Sequence, residues 1–184
     1  MKIVAVYLSS RKGSVSTQVI DAMMDGAEEA GAVVRRFNVG NTILGCRGCG
    51  SCQSGKSDKC VIKDGLEDYW TEVRDADVVV IGAANYMGNV MGQAVSFFNR
   101  HYCANDSSKG MANRVCRIPA GKKLIGVFSQ GAPMKEAYLQ PYQNYLGSFK
   151  AYGMEAETPI VVTAADVSEE GLAAFKAQGK ALVG

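Results

Sequence analysis

The chain of 184 residues is long enough for one domain with a sizeable core, and 47% hydrophobic residues exclude a disordered chain. Its 20 basic and 18 acidic residues leave a formal net charge of +2, which is too small an excess to indicate a nucleic-acid partner. No apolar run approaches the ~20 residues of a membrane span, and the N-terminus lacks the order of a signal peptide. We therefore expect a cytoplasmic protein, with residues 1–184 forming a single domain.

The first half of the chain alternates between strand-like and helical segments. A β-branched apolar run predicts a strand at 2–8, and helical spacing predicts a helix over 16–31 that ends at Gly31. A second strand is expected at 32–38. A cysteine-rich insertion at about 40–64 follows, then a helix capped by Asp64 that runs to about Asp75, and a strand at 77–83.

The second half continues the alternation. We predict a helix over roughly 90–100, a polar segment at 101–121, a strand at 122–129, a helix at 134–152 and a strand at 158–163. Asp166 with Glu169 resembles a capping box at the start of the last helix. The pattern predicts a three-layer α/β/α fold with a five-stranded parallel sheet in the flavodoxin-like order 2-1-3-4-5.

Three loops follow strands at the edge where such a sheet binds ligands. The loop SSRKGSVS (9–16) is rich in hydroxyls and opens a helix, so it suits a phosphate, although such loops also form plain connections. The loop AANYMGN (83–89) offers an aromatic ring and backbone amides suited to a planar isoalloxazine ring, and SQGAP (129–133) is a small, amide-rich turn.

Three segments resemble the NADPH-dependent FMN reductase and iron-sulfur flavoprotein family. SSRKGSVS is similar to its phosphate loop, IGAANYMGNVMGQAVSFFNR (81–100) to its second flavin segment, and CRGCGSCQSGKSDKCVIKDGLEDY (46–69) to its cysteine segment. The resemblance implies bound FMN and spans nearly all of residues 1–130. The implied FMN-binding residues, together with those of the third loop, are Ser9, Arg11, Ser14, Val15, Ser16, Ala84, Asn85, Tyr86, Met87, Gly88, Asn89, Ser129 and Gly131.

Four cysteines are spaced C-x2-C-x2-C-x7-C, at Cys46, Cys49, Cys52 and Cys60. Three thiolates at this spacing on a glycine-broken loop can converge on one object, and a 4Fe–4S cluster takes four cysteines. No second set of cysteines exists, so Cys60 is expected to complete the same site. A long segment without secondary structure also needs something to order it, which a cluster supplies.

Other interpretations of this segment stay open. Zinc usually takes two separated cysteine pairs, and a redox-active disulfide is disfavoured but possible in a reducing cytosol. The stretch GSCQSGKS matches the P-loop pattern, yet it lacks the preceding strand and following helix, so we interpret the match as accidental. Cys103 and Cys116 are expected to be unpaired thiols, and His101 a surface or packing residue rather than a catalyst.

The sequence therefore predicts an FMN- and 4Fe–4S-containing oxidoreductase that relays electrons between a low-potential donor and a small or protein acceptor. An NAD(P)H-dependent FMN or quinone reductase without a cluster is the alternative, and a zinc-stabilised binding module is a third. Basic residues around the cysteines indicate a ferredoxin-like acidic partner or a solvated rim. The resemblance implies a homodimer or homotetramer, and we expect segment 101–121 to cover the flavin or join that interface.

Overall fold

The computed structural model describes all residues 1–184 and contains five α-helices and nine β-strands. The helices are α1 (Val15–Glu29), α2 (Tyr69–Asp75), α3 (Gly92–Arg100), α4 (Leu139–Gly147) and α5 (Glu169–Ala181). The strands are β1 (Lys2–Tyr7), β2 (Val33–Asn38), β3 (Val78–Tyr86), β4 (Asn89–Val90), β5 (Asn105–Asp106), β6 (Val115–Cys116), β7 (Lys122–Ser129), β8 (Met154–Ala156) and β9 (Ile160–Val162).

The main sheet is parallel and follows the order β2-β1-β3-β7-β8. This is the 2-1-3-4-5 order of a flavodoxin-like sheet, as predicted. The connection from β1 leads to β2 on one side, and the connection from β2 leads back to β3 on the other side of β1. This change of direction places a cleft at the carboxyl ends of β1 and β3. Three additions complete the strands: β4 pairs antiparallel with β3, β9 pairs parallel with β7, and β5 and β6 form a separate two-stranded ladder.

The fifth position of the sheet is shared by two short strands. β8 pairs with the first half of β7, and β9 pairs with its second half. Thr158 and Pro159 lie between them, and a proline has no N–H to donate to the ladder. The strand expected at 158–163 is therefore shorter, and Met154–Ala156 adds a strand that the sequence analysis missed.

Both faces of the sheet are buried. On β1, Ile3 and Ala5 pack under α1 and α5, whereas Val4 and Val6 face the layer formed by α2, α3 and α4. This explains why β1 is apolar throughout instead of alternating. The helix pair α1 and α5 packs so closely at Gly179 that an added Cβ there would lie 1.8 Å from a backbone oxygen of α1.

Several predicted boundaries were wrong for identifiable reasons. Asp64 does not cap a helix, because Gly65 follows it at φ +93° and α2 begins only at Tyr69. The helix expected at 134–152 is broken into a 3-10 turn, α4 and a second 3-10 turn. Pro141 cannot donate to a carbonyl one turn earlier, which prevents a continuous α-helix.

The start of the last helix also differs from the prediction. The capping box joins Thr163 to Asp166 on a 3-10 turn at Ala164–Val167, and it does not involve Glu169. α5 is capped instead by Ser168, whose hydroxyl accepts from the Gly171 amide at 3.1 Å. No helix of the structure is both long and apolar enough to cross a membrane.

Candidate functional site

A cavity of ≈ 270 Å³ lies at the carboxyl ends of β1, β3 and β7. All three loops that the sequence singled out contribute to its wall, which is lined by Ser9, Arg11, Ser14, Val15, Ala84, Asn85, Tyr86, Ser129, Gln130, Gly131 and Ala164. The cavity occupies the switch point between β1 and β3, where a sheet of this order binds its ligand.

The first loop lies at the N-terminus of α1. Ser14 is the N-cap residue; its hydroxyl accepts from the Thr17 amide at 3.3 Å and lies 3.3 Å from the Ser16 hydroxyl. The loop turns at Gly13 with φ +63°, and Arg11 is exposed beside it. Free N–H groups, the positive end of the helix and a guanidinium together suit a phosphate.

The second loop is a tight hairpin. β3 continues to Tyr86, which pairs with Asn89 of β4, so the two turn residues are Met87 and Gly88. Both have positive φ, +53° and +79°, as a two-residue hairpin of the I′ type requires. Met87 is the only non-glycine residue with positive φ, and its side chain is fully exposed.

Asn85 holds this hairpin and also carries an unsatisfied donor. Its Oδ1 accepts from the Gly88 amide at 3.1 Å, whereas its buried Nδ2 has no hydrogen-bond partner. A buried amide donor left unpaired costs about 1–3 kcal/mol, so such groups usually have a ligand or solvent partner. Because Asn85 lines the cavity, a ligand with hydrogen-bond acceptors along one edge, such as a flavin ring, fits this group.

The third loop depends on Gln130, which the sequence analysis did not select. Its Nε2 donates to the carbonyls of Ala132 and Met134 at 3.0 and 2.7 Å, and its Oε1 accepts from Tyr142 at 2.9 Å. These bonds hold the turn after β7 in place. The sequence does contain a weak signal for Gln130, because it directly follows the strand β7 and precedes a turn of small residues at the ligand-binding edge of the sheet.

Four of the proposed cofactor residues do not reach the cavity wall. Ser16 lies inside the first turn of α1 and is fully buried, while Met87, Gly88 and Asn89 form the outer end of the hairpin. The residues on the wall that the sequence analysis missed are Gln130 and Ala164. Ala164 follows β9 in the chain, so only the sheet order brings it to the first loop.

A second cavity gathers the cysteines. Cys46, Cys49, Cys52 and Cys60 all line one small cavity of ≈ 20 Å³, and Cys103 lines it as a fifth thiol. The stretch from Gly45 to Asp64 has no regular structure except a 3-10 turn at Ser51–Gln53. The P-loop match within it has no flanking strand or helix, and Lys56 is exposed.

The thiols differ in environment. Burial raises the pKa of Cys52, and it raises the pKa of Cys103 to about 12, whereas a hydrogen bond with Ser51 lowers the pKa of the exposed Cys49. N–H groups approach three of the four sulfurs in the motif: Gly48 N to Cys46 at 3.5 Å, Gln53 Nε2 to Cys52 at 3.4 Å and Arg100 Nε to Cys60 at 3.2 Å. Such donors accompany thiolate ligands of iron–sulfur clusters.

The four cysteine thiols are the ligand type that an iron–sulfur cluster takes, but the space between their sulfur atoms is too small for one. No group of three His, Cys, Asp or Glu side chains is placed to hold a metal ion. A cavity of ≈ 20 Å³ has room for about one water molecule. The loop must therefore widen to accept an inorganic core, and Gly48 and Gly50, both with positive φ, lie next to the two exposed cysteines.

Segment 101–121 packs over the cysteine-rich stretch. Gln53 Nε2 donates to the carbonyl of Asn105 at 2.7 Å, and its Oε1 accepts from the amide and hydroxyl of Ser107. Arg117 donates to the carbonyls of Cys52 and Cys103 at 3.1 and 2.9 Å. No residue of this segment lines the three-loop cavity. The expectation that it covers the flavin or joins an oligomer interface stays a prediction.

His101 lies in an aromatic core and touches neither cavity. Its Nδ1 lies 2.9 Å from the Phe97 carbonyl and its Nε2 2.8 Å from the Tyr69 hydroxyl, which places the proton on Nδ1. Burial lowers its pKa to about 4, with the nearby Arg100 charge adding to the shift, so the ring is neutral at physiological pH. His101 is a buried packing residue.

Helix α3 joins the two cavities. Met91, which precedes it, accepts from the amide of the cavity residue Ala84 at 3.2 Å, and Arg100 at its end lines the cysteine cavity. Nine helical residues span about 13 Å. The two sites therefore lie at opposite ends of one short, rigid element.

Comparison with known sequences gives a consistent result. The sequence model of a family described as NADPH-dependent FMN reductase matches residues 1–132. An iron-sulfur flavoprotein of Methanosarcina thermophila is 30% identical over 116 residues, 62% of this chain and 60% of the relative. One from Archaeoglobus fulgidus is 28% identical over 101 residues, 54% of this chain and 45% of the relative. The matched part spans less than two thirds of these relatives.

Solved structures share the fold at low sequence identity. An NAD(P)H:quinone oxidoreductase from Methanothermobacter marburgensis superposes with a TM-score of 0.74 at 14% identity, covering 99% of this chain and 98% of that one. An FMN-dependent NADH-azoreductase from Bacillus anthracis, solved in complex with FMN, gives a TM-score of 0.65 at 11% identity and covers 100% of both chains. At this identity the likeness establishes the fold.

Proposed function

Because this chain belongs to the NADPH-dependent FMN reductase family, we propose that it is a flavin-dependent oxidoreductase that holds FMN in the three-loop cavity. The observation that carries the proposal is this cavity, whose wall combines residues at the N-terminus of α1 with Asn85, a residue whose buried amide donor has no partner. FMN supplies one- and two-electron chemistry, and the protein supplies its binding and orientation.

The chain's own residues divide this work. The first-loop amides, Ser14 and Arg11 bind the phosphate at the positive end of α1. Asn85 donates to the polar edge of the ring, and Tyr86, 60% exposed, flanks the ring. Gln130 keeps the third loop in position through its bonds to two carbonyls. No general acid or base is required of these residues.

FMN binding is tested by titrating the purified apoprotein with FMN and following flavin fluorescence. Arg11→Ala removes a charge from the cavity wall, and loss of one charged hydrogen bond of roughly 1.5–3 kcal/mol weakens binding about 10- to 100-fold. Lys12→Ala is the matched control, because Lys12 is the adjacent cation and does not line this cavity. Equal loss in both variants, or no binding by the unmodified protein, would contradict the proposal.

The second part of the proposal is that the four cysteines of the motif bind a 4Fe–4S cluster. It is supported by their shared cavity, by the N–H donors at three sulfurs and by the name of the curated relatives, iron-sulfur flavoprotein. When bound, the cluster supplies single-electron transfer. The residues that would hold it are Cys46, Cys49, Cys52 and Cys60.

The cluster is tested by anaerobic purification, an absorbance spectrum and assays of iron and acid-labile sulfide. We expect about four irons per chain, with loss of iron in Cys52→Ser and Cys60→Ser. Cys116→Ser is the control, because Cys116 lies outside the cysteine cavity. Flavin bands with no iron would leave the second candidate, an NAD(P)H-dependent FMN or quinone reductase, which the small volume of the cysteine cavity favours.

The third part concerns the electron donor, for which we propose an acidic, ferredoxin-like protein. Basic side chains are concentrated around the cysteines: seven basic and two acidic side chains lie in residues 44–63 and 101–117. The rest of the chain carries 13 basic and 16 acidic side chains. Both acids, Asp58 and Asp106, are ion-paired with arginines. Six exposed cations form no ion pair: Arg47, Lys56, Lys59, Lys63, Lys109 and Arg114. This charge would steer an acidic protein to the cysteine face.

Assembly as a homodimer or homotetramer completes the proposal, as the family resemblance implies. Tyr86 and Met87 are exposed apolar residues at the mouth of the flavin cavity, where a second subunit would cover them. Light scattering coupled to size exclusion measures the oligomer directly. A monomer at micromolar concentration would contradict this part alone.

A further inference from the structure

A fully buried charge lies beside the cysteine cavity. Arg100 is the last residue of α3, and only 1% of its surface is exposed. Its partner Asp64 is also buried, and the two side chains form an ion pair through both carboxylate oxygens. Burying two charges is costly, and apolar residues of similar size would often pack with equal stability. A function beyond stability is therefore expected of this pair.

The ion pair joins the two ends of the cysteine-rich loop. Arg100 Nη1 donates to the Leu44 carbonyl at 3.0 Å, and the Leu44 amide donates to Asp64 Oδ2 at 2.9 Å. The Thr42 hydroxyl donates to the Asp64 carbonyl at 2.7 Å. Residues just before the first cysteine and just after the last one are thus tied to a single guanidinium.

A further donor of the guanidinium points to a ligand of the proposed cluster. Arg100 Nε donates to Cys60 Sγ at 3.2 Å, and the planar group also lies over the Trp70 ring at 6.0 Å. Because the other nitrogens are bound to Asp64 and Leu44, the group cannot rotate, and the direction of its Nε–H is set. Lysine has no planar fork and cannot make these contacts together.

We propose that Arg100, held by Asp64, is a positioning residue that fixes the Cys60 sulfur and raises the reduction potential of the metal–sulfur group bound there. The inference rests on the proposed cluster. A cation that donates to a ligand sulfur stabilises added negative charge, and hydrogen bonds to the sulfurs are among the factors that set such potentials. Arg100 thereby makes the site easier to reduce by a one-electron donor.

The experiment compares three variants. Arg100→Met with Asp64→Leu replaces the ion pair by apolar side chains and avoids leaving an unpaired buried charge. Arg100→Lys keeps the charge but loses the fork, and Arg114→Lys makes the same change at an exposed, unpaired arginine as the control. Amide hydrogen exchange is measured on iron-free protein, and the midpoint potential of the iron–sulfur signal on loaded protein.

We expect the hydrogen-bonded amides of the loop, those of Leu44, Gln53 and Ser54, to exchange at least tenfold faster in the double variant and in Arg100→Lys. β1 should be unchanged, and Arg114→Lys should exchange like the unmodified protein. The midpoint potential should move negative in the double variant and less so in Arg100→Lys. Unchanged exchange overturns the inference whether or not iron is present. Faster exchange with an unchanged potential also overturns it, because Arg100 would then be purely structural. An unmodified protein without iron refutes the cluster, and the exchange result still decides whether Arg100 fixes the loop.

Discussion

Replacing the buried histidine by a neutral residue should change how the stability of the fold depends on pH. His101 is fully buried, and burial lowers its pKa from the ordinary 6.5 to about 4. Between these two values the unfolded chain binds a proton that the folded chain does not bind. Stability contributed by the neutral ring is therefore complete above pH 6.5 and is lost as the pH falls towards 4.

The size of the loss follows from the two pKa values. At pH 4.5 the linkage relation gives about 2.5 kcal/mol relative to neutral pH. His101→Gln keeps an acceptor for Tyr69 and a donor for the Phe97 carbonyl but does not titrate. The difference in unfolding free energy between the unmodified protein and this variant should thus shrink by about 2.5 kcal/mol between pH 7.5 and 4.5.

Urea unfolding followed by circular dichroism at several pH values measures this difference. Ion-paired carboxylates such as Glu28 and Asp58, whose pKa values are lowered by arginine partners, also lose stability in acid, but they do so equally in both proteins. Tyr69→Phe is the control, because it removes the hydroxyl but keeps the titrating ring and its burial, which is the largest cause of the lowered pKa. It should therefore keep most of the pH dependence of the unmodified protein. A difference between the unmodified protein and His101→Gln that stays constant with pH would refute the reasoning.

Three further outcomes are expected. Gly179→Ala should lower the free energy of unfolding by about 1–3 kcal/mol in thermal or urea unfolding, because the added Cβ would meet the α1 backbone. Gly147→Ala is the control; this position has open space and a helical φ, so the change should be neutral or slightly stabilising. Equal effects of the two changes would contradict the close packing of α1 and α5. Asn85→Ala should weaken FMN binding about 5- to 10-fold in the fluorescence titration, and Asn89→Ala, off the cavity wall, should not. The double change Lys56→Glu and Lys59→Glu should slow electron transfer from an acidic donor in stopped-flow assays and make its rate depend less on salt. An unchanged salt dependence would show that these two lysines do not steer the donor to the cysteine face.

Local signals account for most of the fold. The apolar strands β1, β3 and β7 and the helix α1 were predicted within a few residues, because strands buried on both faces and one-sided helices leave strong patterns in the sequence. The order of the sheet followed from the alternation of elements. Boundaries failed where a single residue overrode the pattern, as Gly65 did at α2 and Pro141 did at α4.

The candidate sites were predicted unevenly. Loops 9–15, 84–89 and 129–133 were found because each follows a strand, and parallel strands end at the same edge of the sheet. The spacing of the four cysteines predicted that they share one site, and they do line one cavity. That these thiols bind a 4Fe–4S cluster is a proposal, because their cavity is smaller than such a cluster and no three of them are placed to hold a metal ion.

Residue pattern alone was enough for the class of fold, the family resemblance and the identity of the loops, since these depend on contacts or spacings that are local in the chain. Only the folded chain decided that Arg100 lies against Cys60, that Cys103 joins the cysteine cavity and that Asn85 carries an unpaired amide. The first two are contacts between residues 40 or more positions apart in the chain, and the third depends on whether a buried donor finds an acceptor in the folded protein. No local period encodes them, because burial and hydrogen bonding are set by the packing of whole elements.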